Sequence, residues 1–523
     1  MNLATLADRD LAERGERDRL WFEDRTYTNK DLHDASAKLA GGLSKLGIGA
    51  NDRVVVILAN CPEVLISYPA IWRVGGVAVP VLFVLEADEL SYILANSEAK
   101  AVITSADLVP KVRAAAALVP ADERRLQHVI AVTEDKLAVE GDTVGFESLV
   151  TESTPYLTAL PRERDDLAVV LYTSGTTGKP KGVMQSHHNL SANAENTWNS
   201  GTKANHEDEV GLVVLPLAHT FGLSVLITSY LFGGKAVLMR RFLPHDALAL
   251  IERHKVTGMA GVPTMYMYML MVDKTYDTSS VKRWVVGAAP MPMEPLLRFE
   301  QRFGGTMHVG YGLTEASPTI AYERESEPRK PGSTGRPLEG VRVKIADEQG
   351  NELPRGQVGE ICAAGDNITL GYLGMPDATA ESFRDGWLHT GDMGYLDDDN
   401  YLFVVERKKD LIIRGGLNVY PKDVEDVLYR HAAVAECAVI GVPDALLGEQ
   451  VCACVVLRPG TTVSADELIA HCQASLAKYK TPKYLEFMTA LPKTTIGKIQ
   501  KKELRKWAAQ KFAEQSEAAR TTG

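Results

Sequence analysis

The chain has 523 residues, and its 57 Lys and Arg against 68 Asp and Glu leave a net charge of −11 at pH 7. With 45% hydrophobic and 24% charged residues it has the composition of an ordinary globular protein, which excludes fibrous, collagen-like and disordered classes. The length corresponds to about three units at roughly 150 residues each; six cysteines are too few for a disulfide scaffold, and the acidic balance argues against a nucleic-acid binder without excluding anions held by local Lys and backbone N–H groups.

The opening stretch MNLATLADRDLAERGERDR is charged and has no apolar core, so no signal peptide is expected. Short β-branched runs then alternate with helical patterns, the texture of an α/β protein with largely parallel sheets. Strands are expected at RVVVILAN from Arg53, AKAVITS from Ala99, LAVVLYTSG from Leu167 and EVGLVVLPL from Glu209. KAVLM from Lys235, VTGMAGVP from Val256 and VKRWVVGAAP from Val281 continue the series. A helix is expected over LHDASAKLAGGLSKLG, where apolar residues recur at three- and four-residue spacing. Residues Val213 to Phe232 are apolar but include Pro216 and His219, which reads as a buried strand and helix rather than a membrane span. Near residue 330 the chain becomes rich in Gly and Pro with short alternating runs, as in a small β-rich subdomain. After ERKKDLIIRGGLNVYP come a helix (KDVEDVLYRH), two strands (AECAVIGVP and QVCACVVLRPG), a second helix (ELIAHCQASLAKY) and a basic tail. A domain boundary is expected in the charged run Glu406 to Asp410, although such runs are also ordinary solvated loops. Cys61, Cys362, Cys437, Cys452, Cys454 and Cys472 form no CxxC pair, and reduced thiols in the cytoplasm are expected.

Chemistry concentrates in Tyr172-Thr-Ser-Gly-Thr-Thr-Gly-Lys-Pro-Lys-Gly182, directly after an apolar strand. Its glycines permit close backbone approach, its hydroxyls donate hydrogen bonds and its lysines add charge, a combination suited to polyphosphate oxygens. A flexible surface turn is the plainer alternative. It is not a Walker loop, which needs Ser or Thr after the lysine; here Pro180 follows Lys179.

This loop resembles the signature of the adenylate-forming superfamily, which includes acyl-CoA synthetases, luciferases and nonribosomal adenylation domains. The resemblance runs from about Asp24 to Lys506, with LPLAHTFG from Leu215, VVGAAPM from Val285, YGLTEAS from Tyr311, GWLHTGDMGYL from Gly386, ERKKDLIIRGGLNVYP from Glu406 and LPKTTIGKIQKKELR from Leu491 in the same order. It implies a large N-terminal domain (1–408) of two αβ-layered subdomains and a β-rich subdomain, followed by a mobile α+β C-terminal domain (409–523). The reaction it implies is Mg²⁺- and ATP-dependent activation of a carboxylic acid as acyl-AMP, followed by transfer to coenzyme A.

By the same resemblance, Thr173, Ser174, Gly175, Thr176, Thr177, Gly178 and Lys181 hold the phosphates, and Glu315 binds Mg²⁺. Gly287, Ala288, Ala289, Tyr311, Gly312 and Thr314 surround the nucleotide, with Tyr311 against adenine. Asp392 takes the ribose hydroxyls, and Arg407 contacts the ribose or the phosphate. Lys498, His219 and Thr173 are the expected catalytic residues. Lys409 is the expected hinge, and Gly415 and Gly416 leave room for the pantetheine arm after the C-terminal domain turns. Glu406 stands where Gly or Asp is more common. His219, Phe221, Val262, Pro263, Gly310 and Gly312 are the expected acyl pocket. Those stretches contain no Arg or Lys for a second carboxylate and no acidic partner for an amino-acid ammonium, which disfavours dicarboxylates and amino acids. The C-terminal segments resemble bacterial medium- and long-chain fatty acyl-CoA ligases more than plant coumarate ligases. A fatty acid is therefore the expected substrate, with an aryl or phenylpropanoid acid second and luciferase-type oxidation or a non-catalytic binding scaffold behind. Monomer and homodimer both stay open, and the partners expected are small molecules.

Overall fold

The computed structural model describes residues 1–133, 141–173, 179–201, 209–444, 446–494 and 497–521, with side chains to residue 512. A seven-stranded sheet runs in the order Val144–Gly145, His128–Val132, Ala101–Ser105, Arg53–Ile57, Val77–Pro80, Leu167–Thr173, Lys181–Ser186. All its neighbours are parallel except the last pair, where Leu167–Thr173 and Lys181–Ser186 run antiparallel. Helices cover both faces of such a sheet, so its strands must be apolar on both sides; Val54, Val55, Val56 and Ile57 are accordingly all buried.

A second, nine-stranded sheet has a parallel centre formed by Thr306–Gly312, Arg283–Val286, Gly258–Gly261, Val210–Val213, Lys235–Leu238 and Asp18–Phe22. Antiparallel strands close both margins. The two sheets are the αβ layers expected from the alternating pattern. Residues 341–407 form a five-stranded antiparallel sheet, the β-rich subdomain. A last five-stranded sheet, within residues 412–487, is built on the long hairpin Val434–Asp444 and Gly448–Leu457.

Each strand expected in the N-terminal part is present, with its ends trimmed. The helix over Leu32 to Gly47 forms as Asn29–Lys45, opened by a reciprocal capping box between Thr28 and Asp31. One expectation needs correcting. The basic tail is a helix, Lys501–Thr521, because Leu504 and Ala508 recur four residues apart and are buried against Val434–Asp444. The short hairpin Ile412–Arg414 and Leu417–Val419 was also not expected; its turn places Gly415 and Gly416 at φ +59° and +81°, which glycine tolerates without strain. No helix among the described residues is long and apolar enough to cross a membrane.

Beneath the nine-stranded sheet, fully buried Trp284 packs edge-on against Phe299 and Tyr266 and donates Nε1–H to the Gly304 carbonyl at 2.8 Å. Trp284→Ala removes this hub and leaves a cavity, which is expected to cost about 3–5 kcal/mol and to lower the denaturant midpoint measured by intrinsic fluorescence or circular dichroism.

Candidate active site

The carboxyl ends of neighbouring parallel strands lie side by side, and the loops leaving them supply most of the candidate residues. Val286 pairs with Val309, so Gly287 and Gly310 emerge together. A Cβ on Gly287 would meet the Phe221 ring at 3.3 Å and the Gly310 carbonyl at 3.5 Å, so even a methyl group would press on the ring. Ala288 follows at φ +68°, a conformation an alanine holds only at a cost, and Ala289 continues the turn. Gly312 is tighter still, since a Cβ would lie 2.1 Å from the Pro318 carbonyl oxygen.

From the strand Thr306–Gly312, the Tyr311 hydroxyl donates to Asp392 Oδ2 at 2.7 Å. Asp392 is buried on the strand Trp387–Leu396, directly opposite Arg407 on Leu402–Arg407. Arg407 Nε lies 3.5 Å from Asp392 Oδ1 and its side chain is about half exposed. Burial raises the Asp392 carboxyl above its ordinary range, opposed by Arg407, Tyr311 and Lys498.

Glu315 sits in the short 3-10 turn Thr314–Ala316, which is fastened from several sides. Gln185 donates to the Thr314 carbonyl at 3.0 Å, the Thr369 N–H to the Glu315 carbonyl at 3.0 Å, and Asn367 to the Ala316 carbonyl at 3.0 Å. The Tyr372 hydroxyl donates to Glu315 Oε1 at 2.9 Å, and Lys181 Nζ lies 4.6 Å from the centre of the Tyr372 ring. Glu315 and Lys181 thus flank one aromatic residue. Burial raises the Glu315 carboxyl, with Tyr372, Lys181 and Arg407 pulling the other way. Thr173 pairs with Lys181 at the mouth of the glycine-rich hairpin. Ser174, Gly175, Thr176, Thr177 and Gly178 lie outside the described residues.

His219 caps the helix Thr220–Phe232, its Nδ1 accepting the Phe221 N–H at 3.3 Å, so a neutral ring carries its proton on Nε2. Burial, then the charge of Lys498, pushes His219 down to about 4. Val262 and Pro263 are buried at the start of the helix Pro263–Leu270.

Lys498 enters this cluster from the C-terminal end of the chain. Thr264 donates to the Gly497 carbonyl at 3.3 Å, and the Lys498 N–H donates to Thr494 Oγ1 at 3.1 Å. Gly497 has φ +82°, and a Cβ there would lie 2.5 Å from Thr264 Oγ1, so both conformation and space require glycine. Burial lowers the Lys498 ammonium to about 8, Arg407 adds to that, and Asp392 and Glu315 oppose it. The structure therefore brings His219, Glu315, Asp392, Arg407 and Lys498 within electrostatic reach of one another.

Two further expected groups follow Arg407 in the chain, and the first, Lys409, is still within electrostatic reach of Arg407 and Asp392. Lys409 lies in the turn Lys408–Asp410, and Gly415 bonds through its N–H to the Leu447 carbonyl at 2.7 Å. No heavy atom lies within 4 Å of a Cβ placed on Gly416, so the backbone conformation, rather than crowding, accounts for glycine in the arrangement seen here. Sequence reasoning missed Tyr372, Gln185 and Thr264. Each acts through a contact across 57, 129 or 233 residues of chain, for which local spacing carries no signal.

A model of the AMP-binding enzyme family matches residues 7–373, and one of the AMP-binding enzyme C-terminal domain matches residues 423–498. A long-chain-fatty-acid–CoA ligase of Bacillus subtilis (strain 168) is 36% identical over 507 residues, covering 92% of this chain and 90% of its own. A feruloyl-CoA synthase of an Amycolatopsis species is 38% identical over 483 residues, covering 92% and 93%. The crystal structure of the anthranilate CoA ligase AuaEII with anthranoyl-AMP superposes with a TM-score of 0.92 at 28% identity, covering 98% of both chains. Matches of this extent place the chain in the AMP-binding enzyme family, and it is an AMP-forming acyl-CoA synthetase.

Proposed function

We propose that the protein activates a medium- or long-chain fatty acid as its acyl-adenylate and transfers the acyl group to coenzyme A. The observation that carries the adenylation step is the placing of Lys498, on a segment clasped by Thr264, within electrostatic reach of Asp392, Glu315 and Arg407. A carboxylate substrate is already ionised at neutral pH and needs no general base. Its oxygen attacks the α-phosphorus of ATP, the bond from that phosphorus to the α,β-bridging oxygen breaks, and pyrophosphate leaves with the bridging oxygen. Lys498 provides a fixed positive charge for the carboxylate and for the charge gathering at the α-phosphate. Asp392 accepts from the ribose hydroxyls, aligned by Tyr311, while Arg407 holds the other flank. Tyr311 also faces the adenine, between Gly312 and the Gly287–Ala288–Ala289 turn, with Thr314 nearby. The coenzyme A thiolate then attacks the acyl carbonyl and AMP departs.

Glu315 suits a single Mg²⁺. One carboxylate oxygen is held by Tyr372, and no group of three or more His, Cys, Asp or Glu able to hold a metal occurs among the described residues. A hard dication that takes most of its ligands from phosphate and water needs few from the protein. When bound it would neutralise phosphate charge. Lys181, Thr173 and the glycine-rich loop, Ser174 to Gly178, would bind the phosphates on the other side.

Lys498 cannot remain over the adenylate while the thiol approaches, so the second step needs a different placement of residues 409–523, turning at Lys409. Gly415 and Gly416 would then line the thiol's path. Phe221, Val262, Pro263, Gly310 and Gly312 form the acyl pocket, with the uncharged His219 at its entrance. The similarity to the fatty-acid ligase supports the first reading, and six buried free thiols suit a reducing cytoplasm. The second reading, an aryl or phenylpropanoid acid, is favoured by the similarity to the feruloyl-CoA synthase.

Thioester formation should saturate with octanoate or palmitate and be negligible with 4-coumarate and ferulate; the reverse order would establish the second reading. Lys498→Ala should slow pyrophosphate release by about 10²–10³-fold, read in a coupled phosphate assay, and unchanged release would remove the lysine from the mechanism. The pH profile follows from the same group. The ammonium is charged below about 8 and neutral above it, so pyrophosphate release should fall as pH rises through that value. Thioester formation from supplied acyl-adenylate should lack this limb. His219, neutral above about 4, should add no acid limb near neutrality.

A further inference from the structure

Glu406 stands one residue before Arg407, on a strand whose backbone pairs with Met393 in the β-rich sheet. Its carboxylate is buried, with the side chain 11% exposed. Oε1 accepts the Arg407 N–H at 3.0 Å and Oε2 lies 3.3 Å from Lys501 Nζ. Lys501 opens the helix that packs on the C-terminal sheet, three residues after Lys498. Its ammonium also lies 3.0 Å from Glu425 Oε1, on the helix Pro421–Tyr429, and that oxygen accepts the Val439 N–H at 2.8 Å. One buried ammonium is therefore shared between a carboxylate upstream of Lys409 and a carboxylate downstream of it.

One turn further along the same helix, Arg505 pairs with Asp410. Both of those residues lie beyond Lys409, so this second pair can travel intact with the C-terminal domain. The Glu406–Lys501 pair cannot: any turn at Lys409 separates the two. Separation strips a buried carboxylate of its nearest cation, while Lys501 keeps Glu425. Breaking a buried pair without replacing its partner is costly, so the pair biases the chain toward the placement in which Lys498 reaches Asp392 and Glu315.

We infer that Glu406, through Lys501, is a positioning residue that holds the C-terminal domain in the adenylating arrangement and must be released before thioester formation. This rests on the proposed role of Lys498 and on the turn at Lys409. The test measures the two half-reactions separately on the full chain: pyrophosphate release from ATP and acid, and single-turnover thioester formation from supplied acyl-adenylate and coenzyme A. Glu406→Gln keeps the shape and removes the charge. It should slow the first half-reaction roughly fivefold to tenfold and leave the second unchanged or faster, while Glu406→Asp should restore part of the first. Arg505→Gln, which breaks the pair that does not span the hinge, should not split the half-reactions in this way. Equal slowing of both half-reactions by Glu406→Gln, or no slowing of either, would overturn the inference. Lys498→Ala in the same two assays separates the premises: if pyrophosphate release survives that change, the role of Lys498 fails, whatever Glu406 does.

Discussion

Burying the ammonium of Lys498 is the constraint on which the site turns. An isolated cation removed from water is expensive, and it is tolerated only where carboxylates stand close enough to compensate. Here those carboxylates are Asp392, which is buried, and Glu315, which is partly buried, and both are lifted above their ordinary range. Each member of the cluster is thus costly alone and supported by the others. The members come from the nine-stranded sheet, the β-rich sheet and the C-terminal end of the chain. An electrostatic arrangement of this kind exists only while these parts are docked, which couples the chemistry of the site to the placement of the C-terminal domain.

Around that cluster the backbone does much of the shaping. Parallel strands in register deliver Gly287 and Gly310 to one place, and the missing side chain of Gly287 lets the Phe221 ring approach closely. Gly497 does the same near the C-terminal end of the chain, allowing Thr264 to clasp the segment that carries Lys498. Side chains then fix the angles. Gln185, Asn367 and Thr369 tie down the turn bearing Glu315, while Tyr372 and Tyr311 each spend a hydroxyl on one acidic residue. His219 has a double position, capping a helix with Nδ1 while its ring stays uncharged beside Lys498.

The pairs flanking residues 406–410 extend the same logic to motion. A carboxylate on each side of Lys409 meets a cation on one helix, and in the proposed turn at Lys409 Glu406 is the one of the two that lets go.

The strands of the N-terminal part were legible because buried parallel strands must be continuous apolar runs, and Arg53–Ile57, Leu167–Thr173 and Arg283–Val286 are such runs. The co-linear motifs were legible because glycine, threonine and lysine at those spacings suit phosphate chemistry, and their order identified the family. The helix Lys501–Thr521 was read as a basic tail because its apolar stripe, Leu504 and Ala508, is thin amid lysines and has meaning only against the strand it covers. Tyr372 on Glu315, Thr264 on Gly497 and Lys501 between Glu406 and Glu425 were invisible for a related reason. Sequence determines which groups a segment offers, because composition and periodicity act over a few residues. Which acid faces which cation, and how far burial moves their protons, is decided only when segments distant along the chain meet away from water.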